Sequence, residues 1–178
     1  MMSTFDVLDF WWQAGRARWY ANDPAFDADI RARFLALHAR AAAHALSEWE
    51  RTCDGALALV IILDQFSRNM FRGRPEAFAQ DKLAREIADR AIVRGFDRAF
   101  PVPARCFFYL PFEHAEDLAL QDRSVDLHCA ANDEEGVKYA RSHRDVIARF
   151  GRFPSRNAAL GRSTTPEEQV FLDAGGGW

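Results

Sequence analysis

The sequence predicts an all-α protein, and three observations carry that reading. Apolar residues recur at three- and four-residue spacing along most of the chain, no segment alternates with the two-residue rhythm of a strand, and no asparagine–glycine pair marks a hairpin. Seven or eight helices in antiparallel order are expected, within one domain spanning residues 1–178, a length that one hydrophobic core can serve.

Phe5, Leu8, Trp12, Gly15 and Trp19 share a helical face, so residues 4–20 are expected to form the first helix. Phe10 falls opposite that stripe and Trp11 at its margin. The helix is therefore covered on two sides or offers Phe10, Trp11 and Trp12 as a homodimer face. Asn22, Asp23 and Pro24 break it, and Asp27 is the expected N-cap of a second helix running to about Arg51 through Ile30, Phe34, Leu37, Ala41 and Ala45.

Thr52 or Asp54 caps a third, central helix over 55–72, which begins in the apolar run Ala56–Leu63 and has no solvent face there. Gly73 ends it. Pro75 and Glu76 open a fourth, with Phe78, Leu83, Ile87 and Ala91 inward and the pairs Asp81–Arg85 and Glu86–Arg90 outward; Gly95 closes it. After the connection Phe100–Pro103, residues 104–110 are expected to be helical until Pro111 interrupts. Helices follow over 117–131 and from Asp133 to Phe150, where Gly151 stops the chain. Thr165 and Pro166 open a last short one, and 173–178 is expected to be a mobile tail.

Hydrophobic residues are 49% and charged residues 28% of the chain, the balance of a folded globule and not of a disordered or fibrous one. Twenty-three basic against 26 acidic residues leave a net charge of -3, which argues against broad binding to nucleic acid or an anionic membrane. The longest apolar run is less than half a membrane span, and Met1–Asp9 lacks the order of a signal peptide, so a cytoplasmic location is expected. Cys53, Cys106 and Cys129 are too few and too scattered for a disulfide framework or a zinc knuckle.

The central helix continues as Leu63-Asp64-Gln65-Phe66-Ser67-Arg68-Asn69-Met70-Phe71-Arg72-Gly73, placing polar groups where an apolar rod has just ended. Asp64 and Arg68 are four apart and can pair, while Gln65, Asn69 and Arg72 form a second stripe. Two readings stand: a buried brace, or a pocket floor from which Arg68 and Arg72 reach an anion. Pro111–Asp117 sets His114 among Glu113, Glu116 and Asp117 at a helix break; His114 with Asp117 is its one helical metal pair, no HExxH pattern exists, and no metal is expected. His143 shares a face with Ala140, Ile147 and Phe150 and so points inward, a place for a core histidine or a proton-transfer group.

From Arg141 to Arg162 there are six arginines (Arg141, Arg144, Arg149, Arg152, Arg156, Arg162) and one acid, Asp145. That stretch suits carboxylate or phosphate binding, or a loop tied to acids elsewhere. No phosphate-binding glycine motif and no nucleophile elbow occurs, and no cofactor is expected.

Taken together, LDQFSRNMFRG (63–73), PFEH (111–114), HRDVIARFGRFPSRNAALGR (143–162) and STTPEEQVFL (163–172) resemble the bacterial domain of unknown function 924 over nearly the whole chain. The resemblance implies an all-helical fold similar to tetratricopeptide-type α-α superhelices and no established reaction. Many members have proline where Ser67 stands and histidine where Ser155 stands, so a role that needs a second loop histidine does not carry over. It points to Asp64, Gln65, Arg68, Asn69, Arg72, His114, His143, Arg144, Asp145, Arg149, Arg152, Arg156 and Asn157, overlapping the residues reached from spacing alone.

Three functions follow as expectations. The first is binding of a small anionic ligand or an acidic peptide terminus in a concave pocket lined by Arg68, Arg72, Arg152 and Arg156. The second is an acid–base enzyme in which His143 or His114 moves protons and Asp64 or Asp145 fixes the imidazole. The third is a protein-interaction module. The first two need Arg68 and His143 to share one hollow.

Overall fold

The computed structural model describes residues 2–177, and every regular element among them is helical. The all-α expectation holds. The chain divides into two compact units, one comprising Met1–Arg72 with Glu76–Pro111, the other Gly73–Pro75 with Phe112–Trp178.

In the first unit, α1 (Thr4–Ala14) opens with a reciprocal capping box between Ser3 and Asp6. It stops at Gly15, whose φ of 73° suits glycine, and α2 (Arg16–Trp19) follows, so the helix expected over 4–20 is two. The buried face of α1 is Val7, Leu8 and Trp11, whereas Phe5 is 70% exposed. Trp11 is fully buried among Trp19, Phe26, Phe66 and Phe107, Phe10 packs on Phe26, Phe34 and Phe66, and Trp12 packs on Trp19 and Phe107. These rings therefore face one another inside the unit, and Trp11 is not available to a second subunit.

Helix α3 (Pro24–Ala42) is capped by Asp23, not Asp27: the Asp23 carboxylate accepts from the amides of Ala25 and Phe26, with Pro24 at the first helical position. Asp27 lies too far into the helix to cap it and turns to Asn69 and Arg72 instead. The helix ends well short of Arg51, because His44 takes a left-handed conformation and the Ala45 amide closes back on the Arg40 carbonyl. A 3-10 turn, Ser47–Arg51, leads to Thr52, which caps α4 (Cys53–Val60).

The central rod is continuous but not uniform. Ile61–Phe66 is π-helical before α5 (Ser67–Met70) resumes the ordinary pitch. Side chains hold two carbonyls of that wider turn: Ser67 Oγ donates to Leu63 O at 2.6 Å and Arg68 Nη1 to Asp64 O at 3.0 Å. Pro75–Ala77 is only a 3-10 turn, so the next α-helix, α6 (Asp81–Val93), starts later than expected. Two members of its expected outward pairs reach longer-range partners as well, Asp81 bonding Arg68 and Arg90 bonding Glu50; that Glu50 bond, with Glu86 still adding to the field, raises the Arg90 pKa. Ala104–Phe108 is a 3-10 helix, and Pro111 does not interrupt α7 (Leu110–Glu113) but sits in its first turn, where a missing N–H costs nothing.

In the second unit, α8 (Leu118–Ala130) is capped by Asp117 and α9 (Glu134–Phe150) by Asp133; the three-residue link between them turns the chain back so that the two helices pack together. Gly151, at φ 70°, ends α9. Val146, Ile147 and Phe153 form a core with Phe150 and Phe171, the last carried by α10 (Pro166–Asp173), which opens with a capping box between Thr165 and Glu168. Of the tail expected to be mobile, Gly175 and Gly176 bond back to the carbonyls of Leu172 and Phe171; Trp178 lies outside the described residues. No helix among the described residues is long and apolar enough to cross a membrane.

Candidate functional site

The polar groups of the central rod resolve into two braces within the first unit. Arg68 lies 3.0 Å from Asp64 Oδ1 and bonds both oxygens of Asp81, at 2.9 and 3.1 Å. Burial opposes the guanidinium charge, but the two aspartates outweigh it and hold the Arg68 pKa above its ordinary value. Gln65 donates to Asp64 at 2.6 Å. One turn further on, Arg72 forks onto Asp27 at 2.7 and 3.0 Å, and Asn69 donates to the same carboxylate at 2.7 Å. His38 Nε2 is 2.8 Å from Ser67 Oγ, but the hydroxyl proton is committed to Leu63 O, so the ring donates and does not activate the serine.

The second unit gathers the titratable groups. The carbonyls of residues 113, 114 and 115 at the end of α7 are each held by a side chain. Gln121 Nε2 donates to Glu113 O at 2.5 Å and to Ala115 O at 2.7 Å, and Arg156 donates to His114 O at 2.9 Å. The Glu116 carboxylate accepts from Phe153 N and from both terminal nitrogens of Arg162. Helix-end carbonyls need partners, and here they receive enough to fix the turn that carries Glu113 and His114.

His143 Nδ1 lies 2.9 Å from the Tyr139 carbonyl and 3.2 Å from Glu113 Oε1. Both are acceptors. The ring proton therefore sits on Nδ1 in the neutral imidazole, and Nε2 is the basic nitrogen. Phe153 meets the ring edge-on at 5.7 Å between centroids, and the His114 ring stands 6.4 Å away. A second acid–imidazole pair adjoins the first: Asp133 Oδ2 is 2.8 Å from His128 Nδ1, and His128 Nε2 is 3.7 Å from Glu113 Oε2. Burial lowers the His128 pKa, and the Asp133 hydrogen bond offsets only part of that. Gly136 makes the pair possible, since a Cβ there would run into the Asp133 carboxylate and the His128 ring.

The arginine-rich stretch meets acids that lie outside it in sequence. Arg144 bonds Asp122 at 2.5 Å, Arg149 bonds Glu167 at 2.9 and 3.0 Å, and Arg152 forks onto Glu168 at 2.6 and 2.9 Å. Asn157 also donates to Glu168, at 3.2 Å. The Arg152 fork, and after it the Thr165 amide, push the Glu168 carboxyl down to about 2. The Arg156 guanidinium carbon lies over the Phe153 ring, 4.4 Å from its centroid. Asp145 is exposed and pairs with Arg144 at 3.6 Å, and the carboxylate against His143 is that of Glu113; Asp64 is held by Arg68 in the other unit.

The family described as a bacterial protein of unknown function, DUF924, matches residues 7–176. The chain belongs to this family. The solved structure of a protein of unknown function from Agrobacterium tumefaciens is similar to this DUF924 member at 46% sequence identity and a TM-score of 0.92, over 96% of this chain and 97% of that one. No curated protein matches the sequence. Among the residues singled out in this DUF924 chain, Arg68 and His143 fall in different units, and the contacts described for each are made within its own. Sequence reasoning passed over Glu113 as a partner of His143, and over Gln121, Ser124, His128 and Asp133. One signal was present: Gln121, Ser124 and His128 follow at spacings of three and four, a polar stripe on a helix whose inward face should be apolar.

Proposed function

We propose that this DUF924 protein is an acid–base enzyme in which His143 moves protons and Glu113, in place of the expected Asp64 or Asp145, holds its ring. This site is narrower than the enzyme expected from the sequence, which needed Arg68 in the same hollow, and it leaves Arg68 to its two aspartates. The observation that carries this reading is the placement of Glu113 Oε1 and Tyr139 O on the same ring nitrogen, which directs basicity to Nε2. Glu113 offsets the imidazolium that forms when Nε2 takes a proton, and a group so placed contributes about 10²- to 10⁴-fold in rate. His114 stands beside the ring as a second group able to give or take a proton.

The anion-binding reading draws less support. Arg68, Arg72, Arg144, Arg149 and Arg152 each hold a carboxylate of the chain itself, which makes them parts of the frame. The test is an untargeted mass-spectrometric comparison of a metabolite extract before and after incubation with wild type, His143→Asn and Glu113→Gln. The reading expects a metabolite that wild type converts, His143→Asn leaves untouched and Glu113→Gln converts far more slowly. Conversion that survives in His143→Asn would overturn it.

A further inference from the structure

The inner face of α8 carries three buried polar residues in succession, Gln121, Ser124 and His128, of which the first two are 0% exposed and the third 1%. The outer two define what that face meets. Gln121 bonds the backbone of Glu113 and Ala115, and His128 approaches the Glu113 carboxylate. Ser124 lies between them on the helix, three residues after one and four before the other, so it projects from the same face of α8.

Two atoms on this face have no protein partner among the described residues, Ser124 Oγ and Gln121 Oε1. Each is a strong hydrogen-bonding group, and leaving one desolvated and unmade costs about 1–3 kcal/mol. A serine inside a helix ordinarily satisfies itself on the carbonyl four residues back; Ser124 does not. One is principally a donor and the other an acceptor, one turn apart. That is the complement of a single water molecule, which accepts from the hydroxyl and donates to the amide oxygen.

We propose that the inner face of α8 is a binding site for an internal water molecule held by Ser124 Oγ and Gln121 Oε1 beside Glu113. The water has a second proton to donate, and the Glu113 carboxylate, which His128 on the same face approaches at 3.7 Å, is the anion assigned to accept it. A carboxylate withdrawn from bulk solvent needs donors around it. The water then supplies one from the α8 side while His143 Nδ1–H supplies another from α9. Its part in the site, that of holding Glu113 as an acceptor for His143, rests on the function proposed above; its presence does not.

The experiment is the detection of long-lived water by nuclear Overhauser transfer to the Gln121 side-chain amide and the Ser124 region in the wild-type protein, followed by the same measurement on Ser124→Ala. The proposal expects transfer in the wild type and its loss in the variant, with the folding equilibrium constant falling about tenfold as the water loses its donor. An unoccupied site gives the opposite sign, since removing an orphaned hydroxyl leaves the variant as stable as the wild type or more so. Absence of transfer in the wild type, or transfer and stability both unchanged in Ser124→Ala, overturns the proposal. Should Ser124→Ala not fold, the wild-type measurement alone decides. A negative metabolite comparison with positive water transfer would remove the catalytic reading and leave the water site standing.

Discussion

Glu113 and His143 face each other across 3.2 Å with both side chains buried, and they come from different helices thirty residues apart, joined by neither helical spacing nor a local turn. The pairing is made possible by a chain of placements. Gln121 and Arg156 pin the turn after Glu113, Asp117 caps α8 beyond it, and the short link after α8 returns α9 with His143 on its inner face. The catalytic proposal lives on this relation, and the arginines around it serve the frame.

Arg68 separates the brace reading from the ligand reading. Replacing it with alanine leaves Asp64 and Asp81 facing each other without their common cation, a loss of about 3–5 kcal/mol for a buried pair, reduced toward about 2 by the partial exposure of the guanidinium. Chemical denaturation should show a lower midpoint with an unchanged slope. An arginine placed to grip a ligand would give a variant as stable as the wild type.

Gly136→Ala places a methyl group into the space shared by the Asp133 carboxylate and the His128 ring. We expect a loss of about 1–3 kcal/mol, the usual cost of overpacking, and a change in the His128 imidazole resonances. A variant with wild-type melting temperature and unaltered His128 signals would show that the pair yields freely.

Glu168 sets an acid limb. Its folded value of about 2 lies below the ordinary 4.5, so the stability it contributes is complete above about pH 4.5 and is lost as pH falls from there through 2. In Glu168→Gln, unfolding free energy should depend less on pH across that window, measured by circular dichroism in denaturant at successive pH values. An identical slope in both proteins would contradict the assignment.

Tyr109 sets an alkaline one. Its hydroxyl donates to Asp97 at 2.8 Å, and burial, followed by that bond, raises its pKa well above 10. A raised folded value means that the stabilisation is whole below about pH 10 and drains away as pH rises beyond it, because the unfolded phenol ionises first. Tyr109→Phe should lose about 2 kcal/mol at neutral pH through the broken bond to a charged group. It should also lack that alkaline decline; tyrosinate absorbance against pH checks the first ionisations in the folded wild type, which should exclude this residue.

Local signals were legible where a residue acts on its own neighbourhood. The inward face of α9, with Ala140, His143 and Ile147 buried, and the caps at Thr52 and Thr165 follow from spacing and side-chain chemistry. What was not legible depends on partners distant in sequence. Arg141–Arg162 reads as a positive patch because only Asp145 lies within it, yet Glu116, Asp122, Glu167 and Glu168 reach it in space. Asp27 reads as a cap until Arg72 draws it away. The wider pitch of Ile61–Phe66 has no compositional mark, since Ile61, Ile62 and Leu63 continue the apolar run of α4 and satisfy either spacing.

The most direct test of the account is the tautomeric state of His143, read from the two ring-nitrogen shifts of the ¹⁵N-labelled protein at a pH where the imidazole is neutral. A proton on Nδ1 with an unprotonated Nε2 is the predicted result, and Glu113→Gln should weaken that preference. A wild-type ring protonated on Nε2 would mean that Glu113 and Tyr139 do not hold Nδ1, and the proposed base would be lost.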